Sequence, residues 1–171
     1  MPAFSFIKKI NYMEQRKSMS NMHGMSYSKF MVMLLISFFI MYIVMFLNID
    51  KLSHYHTSTT RVYMAILMVA PMAVYMMLMM GKMYPNKNIN IGIIIVAIMV
   101  FIVTLLGLRT QTPISDVQYM KAMIPHHSSA ILVSKNANLK DPEVRKLAEQ
   151  IIQSQEKEIA EMNTLIEKLE R

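Results

Sequence analysis

Three apolar runs, Phe30 to Leu47, Val62 to Met80 and Ile91 to Leu108, contain no charged residue, and each is 18 or 19 residues long. A helix rises about 1.5 Å per residue, so each run is close to the length that spans a hydrocarbon core of roughly 30 Å. With 171 residues, 54% of them hydrophobic, the chain reads as a small all-α integral membrane protein with a soluble tail. The expected organisation is an N-terminal segment at 1–29, three transmembrane helices within 30–108, a linker at 109–114 and a helical hairpin at 115–171. The residues before the first run are mostly polar and show no small-residue cleavage pattern, so an uncleaved anchor is expected there.

Charge distribution sets the expected orientation. The net charge of +7 invites a nucleic-acid reading, but residues 109–171 carry nine basic against nine acidic side chains. The excess lies in the first 108 residues, where Glu14 and Asp50 are the only acids. Lys8, Lys9, Arg16, Lys17 and Lys29 precede the first run, which places the N-terminus in the cytoplasm. Three spans then deliver the tail to the opposite side, the periplasm or cell exterior of a bacterium. An inner-membrane, multi-pass protein is expected, with lipid rather than nucleic acid as its partner.

Two helices are expected in the tail. Ser115-Asp-Val-Gln118 has the form of a capping box, predicting a helix from Asp116 to about Asn138. Asp141-Pro142 supplies an N-cap and a first-position proline for a second helix that runs to the C-terminus. The first of these helices holds the most chemically loaded stretch of the chain, Met120-x-x-Met123-x-Pro125-His126-His127. Thioether and imidazole are ligands for a soft ion such as Cu(I), and the chain has no cysteine to offer a thiolate. Turning about 100° per residue places Asp116, Met120, Met123 and His127 in one band, with Tyr119 and His126 at its margin. Pro125 interrupts the backbone ladder, and a kink there would turn His126 inward beside His127. On the second helix Gln155, Glu158 and Met162 share a face with an apolar stripe, where a buried Glu and Gln need partners. Lys146, Glu149, Lys157, Glu161 and Lys168 point mostly away from it.

These motifs carry a resemblance. Asp116-x-x-x-Met120-x-x-Met123-Ile-Pro-His126-His127-x-x-Ala130-Ile, followed by Leu147-Ala-x-x-Ile151-Ile-x-x-Gln155-x-x-Glu158-Ile-x-x-Met162, resembles domain-of-unknown-function family 305. The resemblance implies a ferritin-like, copper-associated helical domain, here in a membrane-anchored branch. It implies Met120, Met123, His126, His127, Glu158 and Met162 as metal ligands, with Asp116 and Gln155 as their outer partners. Longer members carry the hairpin twice and this chain carries it once. A homodimer or higher oligomer that pairs two tails into a four-helix bundle is therefore expected.

The function expected from this reading is a membrane-anchored copper buffer that holds Cu(I), or Ag(I) or Cu(II), outside the cytoplasm in homeostasis or resistance. Copper-export proteins are the further partners expected. No catalytic residue is assigned. The alternatives are a di-iron oxidoreductase, for which the tail has no Glu-x-x-His motif, and a metal-free structural membrane module. Met64, Met68, Met72, Met76 and Met80 recur every fourth residue, a spacing that drifts around the helix and suits packing better than a thioether ladder. Met19, Met22, His23 and Met25 form a small Met/His stretch near the N-terminus. His54 and His56 fall between the first two runs, in what reads as an exposed polar loop.

Overall fold

The computed structural model describes residues 26–171, and every regular element among them is a helix. In chain order these are α1 Tyr27–Val44, α2 Thr59–Met80, α3 Lys87–Thr110, α4 Asp116–Asn136 and α5 Pro142–Leu169, with short 3-10 turns at Leu52–His54 and Gly81–Met83. The Met19 to Met25 stretch lies outside the described residues. Helices α1, α2 and α3 are long and apolar enough to cross a membrane. Each begins where a side chain accepts from the orphan N–H groups of the first turn: Ser26 from Ser28, Ser58 from Arg61, Asn86 from Asn88 and Ile89.

Helix α2 packs against both α1 and α3. Phe30, Ala73, Met76, Met77, Tyr84 and Ala97 form their shared buried cluster. Met72 and Met80 pack against it, whereas Met64 and Met68 are exposed, as the drift of a four-residue spacing requires. Leu35, Phe39, Ile43, Ile91, Ile98 and Leu106 stand about half exposed on α1 and α3, an apolar surface suited to lipid and not to water. At one end of this region the Tyr27 hydroxyl donates to Asn90 Oδ1 at 2.8 Å, joining the start of α1 to the first turn of α3.

Gln111 takes a left-handed φ of 53°, ending α3 and returning the Thr112 N–H to the Gly107 carbonyl. Helix α4 then starts at Asp116, as its cap predicts, and stops at Asn136, two residues earlier than expected. Only half of the capping box forms. Ser115 Oγ accepts from the Gln118 amide, but Gln118 Oε1 accepts from the Thr59 N–H at 3.0 Å and its hydroxyl at 3.2 Å. Asp141 caps α5 as expected, accepting from the Glu143 and Val144 amides at 2.8 and 3.1 Å. Met120, Ile124 and Ile131 of α4 meet Ile159 and Ile166 of α5 in a second buried cluster.

The segment between α1 and α2 lies along α4 like a strap. Asn48 Nδ2 donates to Ser129 Oγ at 2.9 Å, the Asp50 amide donates to Ser128 Oγ at 2.7 Å, and Asp50 Oδ2 pairs with Lys135 Nζ at 3.0 Å. With Thr59 on Gln118, these contacts follow α4 for about 25 Å at 1.5 Å per residue. The expected exposed loop is corrected at its centre: His54 is buried, with Nδ1 at 2.8 Å from Ser128 Oγ. Ser128 is itself wholly buried, and a buried hydroxyl needs partners, which the strap supplies.

Candidate functional site

Helix α4 has two working faces. Asp116, Tyr119, Met120, Met123 and His127 turn toward α5 and, with Glu158, Glu161, Met162, Leu165 and Leu169, line a cleft of about 510 Å³. The band read from helical rotation is thus assembled, and two methionines of α4 share the cleft with one from α5. Met120 is nearly buried and belongs to the tail core, with Met162 packed beside it, so both sulfurs sit on an apolar floor.

His127 is the focus of this cleft. Its side chain is buried, and Nδ1 lies 3.2 Å from Glu158 Oε2, yet the two are misaligned for a hydrogen bond and Nδ1 has no partner. Burial pushes the imidazole below the ordinary histidine range, Glu158 opposes that shift, and His126 adds to it. The ring is therefore neutral at physiological pH, the form that coordinates a metal. Glu158 Oε1 accepts from Ser154 Oγ at 2.7 Å, a contact one turn away that pattern reading did not single out.

Sequence expectations are corrected at three residues, His126, Glu158 and Glu161. His126 does not join His127: it is exposed, its ring centroid is 6.1 Å from that of His127, and it faces the opposite side of α4. The rotation of about 100° between neighbours is retained through Pro125, so adjacent histidines serve different faces. Gln155, expected as an outer partner and not a ligand, is half-buried and does not line the cleft. Glu158 is not inside an apolar stripe, because α4 covers α5 on one side only and leaves that side chain 46% exposed. Glu161, expected to point away, lines the cleft mouth. His56 is half-buried, with an unpartnered Nε2, and lies apart from both.

Among the described residues, no three His, Asp or Glu side chains gather closely enough to hold a metal by themselves. The cleft gathers an imidazole whose Nδ1 has no hydrogen-bond partner, three thioethers and the carboxylates of Asp116, Glu158 and Glu161, a mixed nitrogen, sulfur and oxygen donor set.

Residues 104–171, which hold both cleft-forming helices, match the family described as Domain of unknown function (DUF305). The chain belongs to the DUF305 family. It is also similar to "Uncharacterized protein L153" of Acanthamoeba polyphaga mimivirus, at 40% identity over 107 residues, covering 61% of this chain and 68% of the relative. That share exceeds what residues 104–171 supply, so the similarity extends from the DUF305 region into the apolar helices. No solved structure matches this DUF305 chain.

Proposed function

We propose that this protein is a membrane-anchored holder of soft monovalent metal, Cu(I) first and Ag(I) by the same chemistry. The observation that carries the reading is the cleft itself, where Met120, Met123 and Met162 share one lining with a buried, neutral His127 whose Nδ1 is unpartnered. His127, Met123, Met120 and Met162 would hold the ion, and Asp116, Glu158 and Glu161 supply negative charge that attracts a cation. Bound copper would supply only its affinity for sulfur and nitrogen; the protein's part is to position donors and keep the imidazole unprotonated. The carboxylate-bridged di-iron alternative is less favoured, because among the described residues no three His, Asp or Glu side chains come close enough to share a metal.

In this reading α1, α2 and α3 are membrane spans and the tail is a ferritin-like half-bundle outside the cytoplasm. The end of the spans that carries Lys29, Lys82 and Lys87 is remote from α4, which supports an N-terminus inside. Two tails pair across the unpartnered apolar side chains Leu147, Leu165 and Leu169. A role in copper homeostasis or resistance follows, with export proteins as natural recipients of the ion.

The test is a chelator competition with Cu(I), or Ag(I), on the full chain in detergent. His127→Ala with Met123→Ala should lower affinity by at least about tenfold, while His126→Ala leaves it within about threefold. Undiminished affinity in the double variant would sink the reading.

A further inference from the structure

The second face of α4 borders a different cleft, about 480 Å³, where α1 ends and α2 begins. Its walls include Val44 and Met64 from those two helices and Leu47 from the turn after α1, and its rim is polar, with Asn48, His126 and Ser129. Its charge is set by Arg61. No acidic side chain lines this cleft, and Arg61 forms no ion pair among the described residues.

The guanidinium is held firmly. Nη1 donates to the Met45 carbonyl at 2.6 Å, and the group lies over the Phe46 ring at 4.3 Å. Both contacts fix its position, and neither cancels its charge. Arg61 Nε and Thr60 Oγ1 are buried without partners. A half-buried, uncompensated cation is costly, and an anion beside it would offset that cost. His126 with Met45 and Met64 would otherwise look like a second soft-metal site, but a fixed guanidinium repels a metal cation. The two faces of α4 therefore differ in sign: Asp116, Glu158 and Glu161 on one, Arg61 on the other.

We propose that this second cleft binds the phosphate of a phospholipid headgroup, with Arg61 as its principal contact. The inference rests on reading α1 to α3 as spans. The polar residues that end α1 and begin α2 then lie at headgroup level, and the apolar walls of the cleft continue down the two helices as a track for acyl chains. Arginine suits this task because its planar donors match phosphate oxygens. Helix α4 rests against the same site through His126 and Ser129, so the bound lipid becomes part of the seat of the tail.

Full-length protein in a neutral detergent, stripped of lipid, is titrated with dimyristoyl phosphatidylglycerol or with dimyristoylglycerol, which has the same chains and no phosphate. Bound lipid is counted by native mass spectrometry. One phosphatidylglycerol per chain is expected, about tenfold weaker in Arg61→Gln and largely retained in Arg61→Lys. The Asn48→Ala, His126→Ala pair should weaken binding too, and it leaves the Arg61–Met45 contact intact should Arg61→Gln misfold. Equal binding of the phosphate-free lipid, or binding indifferent to both variants, overturns the proposal. Displacement of the lipid by millimolar inorganic phosphate would also overturn it, in favour of a free-anion site. Partition of the chain into phosphatidylcholine vesicles tests the spans separately: failure there refutes the membrane reading, whereas partition without Arg61-dependent lipid refutes this proposal alone.

Discussion

Replacing Ser128 with alanine removes one oxygen from the centre of the strap. That oxygen accepts from the Asp50 amide at 2.7 Å and lies 2.8 Å from His54 Nδ1. A serine oxygen has two lone pairs and one proton, so Oγ accepts from Asp50 and still serves His54 Nδ1, as donor or acceptor according to the imidazole tautomer. The alanine variant leaves both the amide and the ring nitrogen without this partner. Each such loss costs about 1–3 kcal/mol when the group stays buried, but the strap can lift into water and limit the damage. The Asp50–Lys135 pair remains, but its ammonium is open to solvent, which screens the attraction and leaves it a weak tether. A net loss of about 2 kcal/mol in strap docking is expected, roughly a 30-fold shift in its equilibrium. Hydrogen exchange at the Asp50 amide reads this directly, as about 30-fold lower protection. Ser129→Ala serves as the control, because its bond to Asn48 is exposed and its loss should change protection less than about threefold. A Ser128→Ala protein with Asp50 protected as in the parent would refute the assignment of the strap's stability to that oxygen.

Acid should loosen the same strap. His54 is held below the ordinary histidine value of 6.5 by burial first and then by Lys51 and Lys135, against Asp50 and Glu156, so its docked form resists protonation. Docking is then fully stabilised above about pH 6.5 and weakens as pH falls toward the docked pKa; Asp50 protection, corrected for intrinsic exchange, should decline over that window and stay flat in His54→Gln. Asp141→Ala should cost about 1 kcal/mol at the start of α5, seen as about fivefold faster exchange at the Glu143 and Val144 amides. Met162→Leu keeps the apolar volume beside Ile159 and should leave thermal stability within about 1.5 kcal/mol. The same change should lower silver affinity by about tenfold; unchanged affinity would mean that this sulfur only packs.

The apolar helices were legible because an 18-residue run without charge needs no tertiary partner to declare itself. Ser115, Asp141 and Pro142 were equally readable, since capping is settled within one helical turn. Rotation arithmetic placed Met120, Met123 and His127 together and left His126 at the margin; the kink expected at Pro125 is what misplaced it. Angular position says which residues share a face and says nothing of what lies opposite. Ala122, Pro125 and Ser129, at four and one positions before His126 and three after, do form a second helical face with it. Its small residues give a weak hydrophobic signal. The strap was out of reach for another reason: His54 and Ser128 are 74 residues apart, and neither has a local pattern that names the other. Glu158 was misread as interior because the width of an apolar stripe does not report how many helices cover it.

The strap bears on where this molecule can be cut. A fragment beginning at the linker would retain both helices of the DUF305 match and lose Asn48, Asp50, His54 and Thr59, the four residues that cover the far side of α4. Ser128, without any exposed surface in the intact chain, would then face water, and Gln118 and Lys135 would each lose a partner. The stretch recognised as a family domain is thus narrower than the stretch that folds as one body. A soluble tail that keeps its native first helix would need residues 48–59 grafted back onto it, and loss of metal binding in a bare tail would report the missing graft as readily as a missing ligand.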